Sequence, residues 1–150
     1  MDASSSSESQ TELKQVVNET IAGLDLRRRE FEMINKLIGF EAGEEIEIIY
    51  RDGGHFEKYF DMMDSILVGI TNQRIFKIEK GIAYSAKIKD MKRCSHKKTN
   101  PFQWDAVEVE MNDGKKMLFG IYWGETTAHF TALLGTKISD FQFKIQPPKT

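Results

Sequence analysis

The sequence predicts a mainly β domain of the α+β class, with strands in the middle of the chain and helices at both ends. The stretch 65–88 contains three strand patterns joined by two short turns. Residues 124–134 return to helical spacing, and residues 9–38 carry apolar side chains three and four positions apart. At 150 residues, the chain has the length of one compact domain with appendages.

The first 39 residues are predicted to form a tail and a helical extension. Residues 1–8 are serine-rich and cannot bury apolar area, so we expect a disordered tail. Residues 9–39 form the extension, in which Ser9 and Glu12 have capping-box spacing and Gly39 is suited to end the helix. A break is predicted near Gly23, after which Asp25 is a good cap for a second helix. The apolar positions are Leu13, Val16, Val17, Ile21 and Leu24, followed by Phe31, Ile34, Leu37 and Ile38.

The sequence does not decide what covers the apolar stripe of this extension. The stripe from Leu13 to Leu24 must be covered either by the body of its own chain or by a second protein, which would make a homodimer or a partner-docking helix. The run 27–29 is all arginine and precedes Glu30 and Glu32. We expect these charges to pair along the solvent-exposed face of the helix.

From Gly43 onward the pattern has a period of two. Residues 46–50 and 56–60 are predicted to form an opening hairpin around the turn 52–54. The central strands are predicted at 66–70, 74–78 and 82–88, and a polar, basic segment follows at 89–100. A second hairpin is predicted at 107–111 and 117–121. Gly135 should end the last helix, and residues 136–150 should form a terminal arm or strand.

Four short pieces of sequence resemble bacterial-type PH and GRAM-like domains. They are 43–46 (GEEI), 67–76 (LVGITNQRIF), 83–92 (AYSAKIKDMK) and 112–115 (NDGK), and the resemblance covers about residues 43–135. It implies a pleckstrin-homology (PH)-like antiparallel barrel of seven strands, partly open and capped by a C-terminal helix. Phosphoinositide-binding members have a basic cluster between their first two strands, whereas the loop 51–55 here holds one arginine and one acid.

The only concentrated positive charge lies in the segment 89–104. One interpretation is a surface for anionic lipid or nucleic acid, with aromatic side chains beside the cations. The alternative is a solvated strand and loop whose charges confer solubility. For Trp104, the sequence is compatible both with burial and with exposure on this surface. The candidate residues are Lys89, Lys92, Arg93, Lys97, Lys98, Phe102 and Trp104.

Composition and motifs argue against several classes of function. A single cysteine excludes an internal disulfide and suits a reducing compartment, so we expect an intracellular, cytoplasmic protein. The formal charge of −2 lacks the basic field typical of dedicated nucleic-acid binders. Cys94 and His96 lack the spacing of a metal site, and no nucleophilic or phosphate-binding motif is present. We therefore predict neither enzyme activity nor a cofactor.

The sequence thus predicts a non-enzymatic interaction module, most simply a protein–protein adaptor. The predicted partners are a protein, an anionic membrane surface, nucleic acid with less support, and a second copy of the chain. Peripheral binding of anionic lipid or nucleic acid through residues 89–104 is the alternative function.

Overall fold

The structure is a computed structural model that describes residues 23–98 and 105–145. Seven strands, three α-helices and one 3-10 turn follow each other along these two ranges. They are α1 (Arg28–Ile38), β1 (Ile46–Asp52), α2 (Tyr59–Met63), β2 (Ile66–Thr71), β3 (Arg74–Glu79), β4 (Ile82–Lys87), the 3-10 turn (Ile88–Asp90), β5 (Met91–Lys97), β6 (Asp105–Met111), β7 (Lys116–Ile121) and α3 (Gly124–Ile145).

The strands form two antiparallel sheets in sequence order. Sheet 1 has the order β1-β2-β3-β4 and sheet 2 has the order β5-β6-β7. In the described ranges the two sheets are not joined by a backbone ladder, so the barrel is partly open. A four-stranded sheet, a three-stranded sheet and a C-terminal helix form the PH-like arrangement, which confirms the predicted fold class.

A first core lies between the two sheets and α3. The period-two pattern puts one face of every strand inside, and α3 closes this core with side chains four positions apart. Side chains from sheet 1 also reach the free edge of β7. The Lys77 ammonium donates to the Gly120 carbonyl at 3.1 Å, and the Tyr84 hydroxyl donates to the Leu118 carbonyl at 3.0 Å. Burial lowers the pKa of Lys77, although Glu79 acts in the opposite direction.

A second core lies on the outer face of sheet 1, where α1 and α2 cover it. Ile34 of α1 and Met62 of α2 pack there with Leu67, Phe76 and other apolar side chains of the sheet. Its fully or nearly buried members are Leu26, Ile34, Phe56, Met62, Leu67, Phe76 and Ile78. Sheet 1 is thus apolar on both faces. Residues 26–38 of the extension pack against their own chain.

The close fit in this second core explains a glycine in a central strand. Gly69 is the cross-strand partner of Phe76, and the phenyl ring lies over it. A β-carbon at position 69 would meet that ring at 2.4 Å. Glycine is therefore required for the approach of the aromatic ring and not for a turn.

The predicted opening hairpin is wrong. β1 pairs with β2 and not with residues 56–60, which enter the second core at Phe56 and then form the short helix α2. Alternation of Phe56, Lys58 and Phe60 suggested a strand. The buried Phe56 and Met62 are instead held by a loop and one helical turn, so the tertiary packing overrode the local pattern.

The predicted end of the last helix is also wrong, as is the strand after it. α3 passes through Gly135 and continues to Ile145. Its buried side chains Phe130, Leu134 and Ile138 continue to Phe141 at spacings of four, four and three. Gly135 lies under β5, where an added β-carbon would be 3.8 Å from the Cys94 sulfur. The basic segment, for its part, contains a regular strand, β5.

Helix α1 ends as predicted but begins differently. Gly39 adopts φ 74°, and its N–H donates to the Asn35 carbonyl at 2.8 Å. The N-cap is Arg27 without a side-chain cap, because Asp25 instead contacts Arg51 and His55. Of the predicted apolar stripe, Leu24 packs against the second core. The tail 1–8 and the stripe residues Leu13, Val16, Val17 and Ile21 lie outside the described residues.

Candidate functional site

The predicted basic surface is a strand whose cations face carboxylates. Arg93 is paired with Glu110 at 2.8 Å and Lys92 approaches the same carboxylate at 3.8 Å. Lys97 lies 3.6 Å from Glu108, which Lys116 also approaches at 4.0 Å. Arg93 and the neighbouring cations lower the pKa of Glu110 against a smaller effect of burial. The outer face of sheet 2 therefore presents mixed charge, in which two carboxylates offset part of the charge of four cations.

Two of the predicted cations have a different environment. Lys89 and Lys98 are exposed and form no ion pair within the described ranges. Lys89 lies on the 3-10 turn at the edge of a cavity, whereas Lys98 follows the end of β5. Phe102 and Trp104 lie outside the described residues, so their proximity to the cations stays a prediction.

A buried ion pair fixes the start of α1 to β1. Glu30 is fully buried, and both of its carboxylate oxygens contact the Arg51 guanidinium, which is nearly buried. The Phe56 N–H donates to the same carboxylate at 3.0 Å, and His55 Nδ1 lies 3.1 Å from it. The predicted pairing of Glu30 with solvent-exposed arginines is wrong, because this helix face turns toward the sheet.

A second buried pair fixes the other end of α1. The Arg74 guanidinium on β3 contacts both carboxylate oxygens of Glu44 at 2.8 Å and also reaches the carbonyls of Ile38 and Gly39. Thr71 donates to Glu44 at 2.6 Å. Burial would raise the pKa of Glu44, but these hydrogen bonds and the positive charge outweigh it and lower that pKa overall. Both buried pairs hold structure together and leave no free group for chemistry.

Exposed apolar side chains lie on α2, at the end of sheet 1. Tyr59 is 65% exposed, Phe60 61% and Met63 40%. Tyr59 and Met63 close over Gly81 in the β3–β4 turn, where an added β-carbon would lie 2.8 Å from the Met63 sulfur. The exposed Ile82 follows in sequence, but it alternates with Tyr84 and Ala86 toward the inner face of sheet 1, away from α2. We call Tyr59, Phe60 and Met63 the apolar patch.

The rim of the apolar patch is charged and slightly acidic. Its nearest charged residues in sequence are three carboxylates and two lysines. They are Lys58, Asp61, Asp64, Glu79 and Lys80. Lys58 also lies 5.6 Å from the centre of the Phe60 ring, so one cation covers part of that ring.

The sequence did not indicate this patch. Phe56, Lys58 and Phe60 suggested a strand, and a strand would have placed both phenylalanines on one face. In the structure Phe56 is fully buried and Phe60 is exposed on α2. A helix of five residues is too short to show a period in the sequence. Only the burial of Phe56 and Met62 in the structure shows which side of α2 faces solvent.

Cys94 and His96 are both engaged in contacts within the fold. Burial raises the pKa of the Cys94 thiol to about 11, and this thiol donates to the Thr131 carbonyl of α3 at 3.5 Å. His96 is paired with Asp105 at 2.7 Å. Within residues 23–98 and 105–145 no three histidine, cysteine or acidic side chains are grouped to hold a metal ion. None of the helices there is long and apolar enough to cross a membrane.

Comparison with known proteins adds a likeness to solved structures. No protein-family model and no curated sequence matches the chain. Among solved structures, the Vps36 N-terminal PH domain is similar, with a TM-score of 0.49 and 10% sequence identity. The alignment covers 69% of this chain and 85% of that domain.

Proposed function

We propose that this chain is a non-enzymatic interaction module that binds a protein partner through the apolar patch. The observation that carries the proposal is the exposure of Tyr59, Phe60 and Met63 on α2, at one end of sheet 1. Tyrosine, phenylalanine and methionine are enriched at protein interfaces, and grouped aromatic side chains supply most of the binding energy there. The single cysteine supports action in a reducing compartment.

The charge around the patch favours a protein over an anionic membrane. The rim holds three carboxylates and two lysines, whereas a membrane-binding rim needs an excess of cations. A partner segment with apolar side chains and a net positive charge complements both features of the surface. The occupant that we propose is therefore a basic, apolar protein segment.

Other surfaces support the predicted functions less well. The outer face of sheet 1 is covered by α1, and residues 26–38 are thereby engaged within the chain. On the outer face of sheet 2, Glu108 and Glu110 offset part of the charge of four cations, which weakens the alternative of polyanion binding through residues 89–104. That alternative, like self-association through the stripe Leu13–Leu24, stays a prediction.

Selection of peptides from a random displayed library tests the proposal without knowledge of the partner. We expect the full chain to enrich peptides that combine aromatic or aliphatic anchors with lysine or arginine. The double variant Tyr59→Ser/Phe60→Ser should bind these peptides at least about tenfold more weakly, because each lost anchor removes buried apolar contact. The matched control is Leu118→Ser, which changes an exposed leucine on sheet 2 and should leave binding unchanged.

Two outcomes would overturn the proposal. One is that no peptides are enriched, or that enriched peptides bind the double variant as tightly as the unmodified chain. The other is that the unmodified chain binds phosphatidylserine vesicles and the double variant does not. In that case the apolar patch contacts a membrane and not a protein.

A further inference from the structure

A cavity of about 450 Å³ lies at the opposite end of α3 from its start at Gly124. Its walls come from the β2–β3 turn, the junction of β4 with the 3-10 turn, and the last turns of α3. Ile88 and Phe141 form its apolar part, and both pack against the first core. A space of this size falls in the range of small-molecule sites.

Four lysine ammonium groups from two separate parts of the chain border this cavity. Lys87 and Lys89 come from the end of β4 and the 3-10 turn, whereas Lys137 and Lys144 come from α3. Such a concentration of like charge around a concave surface focuses a positive potential into it.

Carboxylates balance only two of the four cations. Lys87 is paired with Glu41 at 2.6 Å, and Lys137 is paired with Glu47. Lys89 and Lys144 form no ion pair within the described ranges, although Asp140 also borders the cavity. Lys87 most strongly, with Arg74 and Lys89 adding to it, lowers the pKa of the exposed Glu41 at the cavity wall. This shift reflects the direct pair of Lys87 with Glu41, so the positive charge left over at the cavity comes from Lys89 and Lys144.

The shape of the site selects a small ligand over a polymer. A nucleic acid needs a positive track that extends beyond one cavity. On the neighbouring strand β5, Lys92, Arg93 and Lys97 lie beside Glu108 and Glu110, which reduces the net positive charge available for such a track. A compact dianion can instead be held between two flexible ammonium groups, which suit a phosphate as point charges.

We propose that this cavity binds a small phosphate monoester, with the phosphate between Lys89 and Lys144 and the organic part against Phe141 and Ile88. Asp140 accepts a hydrogen bond from a hydroxyl or amino group of the organic part. The site is distinct from the apolar patch in position and in ligand chemistry, so the two proposals stand or fall separately.

Calorimetric titration of the full chain with phenyl phosphate and with inorganic phosphate tests this site. We expect phenyl phosphate to bind more tightly than inorganic phosphate, and both affinities to fall as salt is added. Lys89→Glu/Lys144→Glu should weaken phenyl phosphate binding at least about tenfold, because both free cations are replaced by anions. Phe141→Ala should remove the preference for phenyl phosphate and keep the binding of inorganic phosphate.

The matched control is Lys92→Glu/Lys97→Glu, which makes the same charge change on β5 outside the cavity. Its binding of phenyl phosphate should remain within about twofold of the unmodified chain. Absence of binding to the unmodified chain, or equal weakening by the two double variants, would overturn the proposal. Circular dichroism of each variant separates loss of binding from loss of fold.

Vesicles distinguish the source of the phosphate. Phosphatidic acid carries a phosphate monoester on a lipid, whereas phosphatidylserine carries a comparable surface charge without one. Binding to phosphatidic acid vesicles that depends on Lys89 and Lys144 identifies a lipid-borne ligand. Binding of phenyl phosphate without vesicle binding identifies a soluble ligand, and both results support the site. Equal binding to the two vesicle types that survives Lys89→Glu/Lys144→Glu would overturn the lipid-borne form of the proposal.

Discussion

The outer faces of the two sheets differ in polarity and in what covers them. On sheet 1 the outer face is apolar and lies under α1 and α2, with buried ion pairs at both ends of α1. On sheet 2 the outer face is open and carries paired charges such as Arg93 with Glu110. Both sheets have the same antiparallel construction and share one inner core.

The difference shows that the same kind of ion pair has different consequences in the two settings. Glu30 with Arg51 has been removed from water, so losing one partner leaves a buried charge without compensation. Arg93 with Glu110 remains near water, which solvates either partner alone. Helix α1 is therefore an integral layer on sheet 1, while the charged side chains of sheet 2 remain near water.

The largest expected effect comes from Glu30→Ala. This change leaves the buried Arg51 guanidinium and the Phe56 N–H without their shared carboxylate, so unfolding should become easier by about 3–5 kcal/mol. Glu110→Ala removes the matched carboxylate from sheet 2 and should leave the unfolding midpoint nearly unchanged. Urea denaturation followed by circular dichroism measures both. Equal midpoints for the two variants would contradict the distinction between the faces.

A smaller loss is expected from Ile34→Ala. Ile34 is fully buried between α1 and sheet 1, and its truncation should cost about 3 kcal/mol, within the usual range for isoleucine in a core. Leu118→Ala truncates an exposed side chain on sheet 2 and serves as the control. If both variants unfold at the same urea concentration, α1 does not cover sheet 1 in solution.

The sequence predicted much of this fold because the sheets follow local rules. Strands 66–71, 74–79, 105–111 and 116–121 were predicted within one or two residues, since alternation and tight turns determine them. The sequence also predicted the end of α1 at Gly39. Long-range burial decided the rest: Glu30 was assigned to solvent because nothing local indicates that Arg51, twenty-one positions away, lies opposite it.

The candidate surfaces were less predictable than the strands for the same reason. The basic run 89–98 was visible in sequence, but the carboxylates that offset part of its charge depend on the cross-strand register of β5 with β6, which pairs Arg93 with Glu110. The apolar patch depends on which side of α2 is buried, and the lysine-bordered cavity combines segments distant in sequence. Exposure of Phe60 and the convergence of Lys89 with Lys144 follow only from the tertiary structure.

The smallest expected effect is a dependence of stability on acid pH through Glu44. Its pKa is lowered in the folded state, so this carboxylate stabilises the fold above the ordinary glutamate range and the contribution is lost as the pH falls through the folded pKa. Urea unfolding between pH 7 and pH 3 should therefore show less acid destabilisation in Glu44→Gln than in the unmodified chain.

Glu45→Gln, at the exposed neighbouring position, provides the control and should keep the full acid dependence. The comparison isolates the second buried pair, since Arg74 joins Glu44 to the carbonyls of Ile38 and Gly39 at the end of α1. Protonation of Glu44 weakens the attachment of this helix end to sheet 1. An identical pH profile for Glu44→Gln and the unmodified chain would show that the pair contributes no pH-dependent stability and that other contacts hold this end of α1 in place.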